Sequence, residues 1–246
     1  MAGFVDLHSH VVPSGDDGAT TVALGLELCS AAARHGTGVL YGTPHVWPSL
    51  PLTEEREREV RSTHRAMAAT AARDGLDLRL GWELTPHERL LDEDPRRYRL
   101  GDLPAVLMEV PFHGPLAPAE RLGEHLESAG LTPVVAHPER AESVLRDPGA
   151  PAALAERGWL LQVNATSLLG YHGAGEEELA WRLVEEGLAA LVASDGHRTA
   201  RPPFLDAAYE RVRARVGEAS AGPLFDGGPL ARLAGGADRF DLAQRG

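Results

Sequence analysis

Short apolar runs recur along the chain every few tens of residues, separated by longer stretches in which apolar and charged positions mix with an amphipathic pattern. FVDLHS, TGVLYGT, LDLRLGWEL, PAVLMEV, TPVVAH, WLLQVNA and AALVAS are short, apolar and bounded by glycine, proline or polar residues, as buried strands are. The intervening segments predict helices. TTVALGLELCSAAARHG closes on Gly36, and the segment from Thr53 to Gly75 opens on a capping threonine followed by acidic residues and stops at glycine. PAERLGEHLESAG, EEELAWRLVEEG and PFLDAAYERVRARVG complete the set. Strand and helix in alternation imply parallel strands joined by helical crossovers, in a barrel or a doubly wound sheet. From about Gly217 onward the pattern fades, leaving a short helix expected at Pro229 to Leu233 in an otherwise loose segment, with residues 1–246 read as one domain.

Composition narrows the chemistry. None of the 246 residues is lysine, so all 24 basic side chains are arginines. Schiff-base and pyridoxal phosphate chemistry need a lysine amine, and so does a P-loop. The net charge of −12 argues against a broad nucleic-acid-binding surface but leaves room for a local anion site. No apolar run approaches the roughly 20 residues that cross a bilayer, and no basic-then-apolar leader opens the sequence, so membrane insertion is not expected and the cytoplasm is the expected location. Cys29, the single cysteine, reads as a small core residue of the first helix. Four residues, not five, separate it from Arg34, so the motif of cysteine-dependent tyrosine phosphatases is absent.

The candidate chemistry sits at strand ends. DLHSHVVPSGDDG places His8 and His10 two apart at the end of the first predicted strand, where both project from one face. His45 follows TGVLYGTP, Glu83 lies in LRLGWEL, Glu109 ends PAVLMEV, His137 ends TPVVAH, and Asp195 and His197 follow AALVAS. In barrels of alternating strand and helix, the carboxyl ends of the strands form the active-site face. A single histidine there is ordinarily structural; the joint pattern points instead to imidazole and carboxylate ligands for divalent manganese, iron or zinc. Among the other histidines, His35 suits a helix end, His64 and His125 are expected to face solvent, and His113 and His172 are loop candidates for touching substrate.

DLHSH, DDG, TPH at Thr43 to His45, GWE, MEV, AHPER at Ala136 to Arg140 and SDGH at Ser194 to His197 resemble the polymerase and histidinol phosphatase (PHP) family. Their order is most similar to its bacterial tyrosine-protein phosphatase branch, associated with capsule and exopolysaccharide synthesis, and the resemblance runs from about Val5 to Pro203. It implies a distorted (β/α)7 TIM-like barrel with three divalent ions per chain, manganese foremost. Carried over by position, His8, His10, Glu83 and Asp195 would hold the first ion, and Glu83 would bridge to a second that also takes Glu109 and His137. Asp17, His45 and His197 would hold the third, with Asp16 as the fallback for Asp17. Arg140 and Arg201 match arginines that grip phosphate.

Phosphate-ester hydrolysis at neutral pH needs an acidified water and compensation of the phosphoryl charge, both of which clustered cations supply, while arginines add bidentate contacts. A phenol leaving group, with a pKa of about 10, departs with little protonation. For other leaving groups, His197 or a metal-bound water is the candidate acid. The expected substrate is a phosphotyrosine protein, a bacterial tyrosine kinase among the candidates. The alternatives are a small phosphate ester, such as a sugar phosphate or histidinol phosphate, and an amidohydrolase-like reaction with Glu83 replacing the usual carbamylated lysine.

Overall fold

The computed structural model describes residues 3–233 and 235. In its first part, β1 (Phe4–Ser9), α1 (Val22–Arg34) and β2 (Thr37–Gly42) are followed by β3 (His45–Val46), α2 (Glu54–Ala71), β4 (Asp77–Leu80) and β5 (Glu83–Leu84). Next come β6 (Ala105–Glu109), α3 (Ala117–Ser128), β7 (Thr132–Ala136), α4 (Glu142–Arg146), α5 (Ala150–Glu156) and β8 (Leu160–Asn164). The last part holds α6 (Ala165–Leu168), α7 (Ala174–Glu185), β9 (Ala189–Ala193), α8 (Asp206–Val216), α9 (Glu218–Phe225) and α10 (Gly228–Leu233). The tail beyond these, expected to be loose, lies outside the described residues.

The parallel α/β architecture implied by the alternation is present as two sheets, ordered β1-β2-β4 and β3-β5-β6-β7-β8-β9. Two expected strands differ in detail. The run from Leu76 to Leu84 breaks into β4 and β5 at Gly81, and β3 follows β2 after a step at Thr43 and Pro44. Proline has no N–H to give to a ladder, and a Cβ at Gly81 would lie 2.6 Å from Leu100 Cδ2, so a larger residue there would have to displace that buried side chain. Backbone bonds carry the pairing of these two segments across the step, from β2 with β4 to β3 with β5: Gly81 N donates to Gly42 O at 2.9 Å and Glu83 N to Pro44 O at 3.1 Å. On the far side, Asp195 N donates to His8 O at 2.9 Å and His10 N to Gly196 O at 2.7 Å, which sets the end of β1 beside the segment after β9.

Local signals explain the helix boundaries. Thr21 and Thr53 accept from Leu24 N and Arg56 N, capping α1 and α2, and Gly36 and Gly75 take the left-handed conformation that ends them. The segment after Gly217 is more ordered than its composition implied. It forms α9 as well as α10, and Ala221, Leu224, Phe225 and Leu230 are buried. The short helices α4, α5 and α6 span at most two turns, too few for a periodic pattern to show.

Two apolar layers result. An inner one joins Val5, Leu7, Val39, Leu107, Val134 and Leu191 with Leu230 and Ala231 of α10. An outer one packs the sheets against the helices and includes Cys29, whose thiol is pushed up to about 12 by burial. His64 and His125 do not simply face solvent: each is partly buried, with its Nε2 on a backbone carbonyl, Leu78 O at 3.0 Å and Glu93 O at 3.1 Å. His35 caps α1 as expected and bonds Asp206 at 2.7 Å.

Gly123 tests the outer layer. A Cβ there would stand 2.0 Å from Cη2 of the buried Trp159. Helix propensity alone favours Gly→Ala by about 1 kcal/mol. Gly123→Ala should nevertheless destabilise the protein, by about 1–3 kcal/mol in denaturant unfolding, because overpacking outweighs propensity.

Candidate metal centre

Each sheet delivers its donors from strand ends. A register irregularity between Asp6 and Ser9 re-aims the end of β1, and His8 and His10 converge with their Nε2 atoms 3.2 Å apart. In the second sheet, β3 pairs with β5 so that His45 lies directly opposite Glu83. His137 and Asp195 follow β7 and β9, and both take positive φ angles, 34° and 54°. Left-handed backbone is costly for residues other than glycine, and here it falls on two strand-end donors whose side chains must turn inward.

Glu83 is the hub. Its Oε2 lies 3.0 Å from His8 Nε2, 3.2 Å from His10 Nε2 and 3.1 Å from His45 Nδ1, and its Oε1 lies 3.2 Å from His137 Nε2. Although burial opposes ionisation, the surrounding imidazoles hold Glu83 well below the usual carboxylate range. Asp195 is lowered in the same way, against burial, by His8, His10, His137 and Arg201. Burial pulls His45 down to about 4 and lowers His137, and it lowers His197 together with the charge of His10. His8 and His10 are raised because facing carboxylates outweigh burial.

The two aspartates of the DDG turn have separate places. Asp16 is buried and accepts from His45 N at 3.0 Å and Gly18 N at 3.2 Å, bracing the turn, with Oδ2 3.4 Å from His10 Nδ1. Asp17 is half-exposed, with Oδ1 3.3 Å from His197 Nε2 and 3.7 Å from His45 Nε2. Three overlapping groups present donor atoms within 4.8 Å of one another: His10, Asp17, His45 and His197; His8, Glu83 and His137; His8, His10 and Asp195. Glu109 belongs to none of these. It lines the same cavity but takes a hydrogen bond from Thr85, and burial and the nearby Glu83 push it up to about 8.

The donor chemistry fits divalent cations. His137 Nδ1 is buried without a hydrogen-bond partner, and imidazole with carboxylate oxygen suits manganese, iron or zinc. A side-chain relay also orients His8. Ionised Asp195 can only accept, so Asn164 Nδ2 donates to it at 2.8 Å, which leaves Asn164 Oδ1 to accept from Gln162 Nε2 at 2.9 Å. Gln162 Oε1 then accepts from His8 Nδ1 at 2.9 Å, and His8 Nε2 is left to face the centre.

Arg140 and Arg201 close the cavity of about 150 Å³. Arg140 Nη1 lies 3.2 Å from Asp195 Oδ2, and Arg201 Nη2 lies 2.8 Å from Asp195 Oδ1. The loop histidines do not line it. His113 is exposed and pairs with Glu142 at 3.1 Å; His172 bonds Thr166 at 2.8 Å, and burial with the charges of Arg140 and Arg201 brings it down to about 4.

Sequence reading missed several supporting residues. Gln162 and Asn164 are two apart in an otherwise apolar strand, a polar alternation that could have marked them. Glu139, fully buried, accepts from Asn164 N at 2.9 Å and Ser167 Oγ at 2.7 Å, and burial raises it to about 7. Phe112, at the cavity wall, carried no signal of its own.

Parallel strands whose ends crowd imidazoles and carboxylates around one buried cavity define a protein of the metal-binding α/β class. The chain belongs to the CpsB/CapC family of capsular polysaccharide synthesis, whose model matches residues 4–233. It is 32% identical over 206 residues to the tyrosine-protein phosphatase YwqE of Bacillus subtilis, covering 78% of this chain and 77% of the relative. The tyrosine-protein phosphatase CpsB of Streptococcus pneumoniae is 25% identical over 233 residues, covering 92% and 96%. A solved structure, from work on YwqE of Bacillus subtilis and CpsB of Streptococcus pneumoniae as unique metal-dependent tyrosine phosphatases, superposes with a TM-score of 0.82 at 28% identity, covering 95% of each chain. The phosphotriesterase homology protein of Escherichia coli shares the fold, with a TM-score of 0.58 at 10% identity over 93% of this chain and 98% of that one.

Glu109 gives a pH test. Its carboxyl keeps a proton up to about pH 8, and a cation must displace that proton to bind it. Manganese affinity should therefore rise with pH up to about 8, by up to about tenfold per pH unit from this one proton. Glu109→Gln should flatten the rise in calorimetric titrations, relative to the wild type.

Proposed function

We propose that this chain is a metal-dependent phosphomonoesterase that hydrolyses phosphotyrosine in proteins, with a bacterial tyrosine kinase among its substrates. The carrying observation is the buried imidazole and carboxylate centre opening into a small cavity flanked by Arg140 and Arg201. Its relatives bear the tyrosine-protein phosphatase name, which supports the same reading. On this reading the two sheets are the wall of a distorted seven-unit barrel, residues 1–246 act as one domain, and the protein works in the cytoplasm.

His8, His10, Glu83 and Asp195 would hold one manganese ion, Glu83, Glu109 and His137 a second, and Asp17, His45 and His197 a third. When bound, the ions would supply an acidified water and compensation for phosphoryl charge. The chain's own residues do the rest. The cavity is below the usual range of drug-sized pockets, so it admits the phosphoryl group and leaves the carrier at the mouth. Arg140 and Arg201, both now on Asp195, are placed to grip phosphoryl oxygens with paired N–H groups.

The leaving group follows from His197. Burial and the charge of His10 disfavour protonation of its imidazole, which makes it a poor proton donor. A phenolate, with a pKa of about 10, leaves without such help, whereas an alkoxide does not. This favours phosphotyrosine over sugar or alkyl phosphates.

Purified protein should contain close to three ions per chain, on the family pattern, and release phosphate from phosphotyrosine peptides in a manganese-responsive way. His8→Ala, Glu109→Ala and His137→Ala should each lower that rate by about a hundredfold or more with the fold retained by circular dichroism. Full activity in chelated protein would overturn the metal-dependent reading. A preference of orders of magnitude for small phosphate esters would move the substrate to that class.

A further inference from the structure

Phe112 stands three residues beyond the end of β6, on a loop tied down by a bond from Glu142 N to Phe112 O at 3.0 Å. Its ring centroid is 5.5 Å from that of His137, and the guanidinium carbon of Arg140 lies 4.5 Å from it. It is the one Phe, Tyr or Trp lining the cavity among the described residues. Despite these contacts it remains 38% exposed, while its neighbour Val110 is buried.

A large apolar ring left partly in water at the entrance of a polar cavity keeps apolar surface that a bound group can cover. Serving as a platform for Arg140 would account for the cation–π contact but not for the surface still accessible. The other aromatic side chains nearby are placed differently. Trp47 is stacked on His45 at 4.5 Å, and Tyr171, 74% exposed, does not line the cavity.

We propose that Phe112 is a specificity-determining residue, whose ring packs against the aromatic ring of the leaving group while Arg140, seated on it, holds the phosphoryl end. This rests on the phosphatase reading and names the residue that makes the site prefer aryl over alkyl esters. On that reading the small cavity takes the phosphoryl group, carriers are told apart at its rim, and Phe112 with Arg140 forms part of that rim. An aryl ring gains an offset or edge-to-face contact with Phe112; an alkyl carrier gains only a smaller apolar one.

The test is binding of two phosphonates that cannot be hydrolysed, phenylphosphonate and methylphosphonate, titrated by calorimetry into manganese-loaded protein. Wild type should bind phenylphosphonate about fivefold to tenfold more tightly, the range an aromatic pair supplies. Phe112→Ala should remove this preference mainly by weakening phenylphosphonate. Phe112→Leu should remove part of it, and Phe112→Tyr should keep it. Tyr171→Ala should leave it unchanged. The Leu and Tyr variants carry the test if the Ala variant does not fold. Equal weakening of both phosphonates by Phe112→Ala would show a ring that only seats Arg140, and would overturn the proposal. So would an unchanged ratio, loss of the ratio in Tyr171→Ala, or no preference in wild type. Phosphate release plays no part in this readout, so failure to hydrolyse phosphotyrosine would count against the preceding reading and leave this result to be judged separately.

Discussion

Four imidazoles crowd one buried carboxylate, and the rest of the architecture follows from making that possible. A carboxylate and its neighbours withdrawn from water are strongly unfavourable unless each is met by an oppositely charged or hydrogen-bonding partner. Around Glu83 the partners come from separate elements: His8 from β1 and His10 just beyond it, His45 from β3 and His137 just after β7. No single helix or strand could present so many donors to one point. The convergence of parallel strand ends can, because each strand contributes one or two side chains from its own direction. The two-residue strands β3 and β5 acquire their meaning here, since their short pairing sets His45 opposite Glu83.

The second requirement is orientation. An imidazole offers two nitrogens, and the one facing the centre must be chosen by what the other bonds. For His8 that choice is made several residues away, through Gln162 and Asn164, by a carboxylate that can only accept. Glu139 holds Asn164 and Ser167 from behind, linking the loop that carries His137 and Arg140 to the end of β8. The fully buried polar side chains of β8 are therefore part of the site although they do not line its cavity.

Much of this was legible in the sequence because its signals are local or periodic. The strand runs, the capping threonines and the glycine stops mark elements directly, and the donors fell at strand ends where their positions could be compared. The ambiguous DDG turn was legible only to the level of two candidates; three dimensions separate Asp16, which braces the backbone, from Asp17, which faces His45 and His197. The break of one apolar run at Gly81 was hidden because the side chain that packs there, Leu100, comes from a separate segment. His64 and His125 were misplaced for the same reason, their partners being carbonyls of other segments. The order in α9 was missed because its residues are small and weakly patterned and are buried by tertiary packing alone.

The helix α10 has a consequence for how the chain is assembled. Its Leu230 and Ala231 complete the inner layer against Val5 and Leu7 of the first strand, and Gly227 packs a Cβ's width from Val5. The earliest and latest segments of the described chain thus share one core, and their contacts span nearly its whole length. During synthesis, β1 must wait for α10 to emerge before its inner face is sealed. Such long-range closure favours slow folding, and it makes the first strand, with His8 and His10 at its end, depend for its final shielding on a helix about two hundred residues further along the chain.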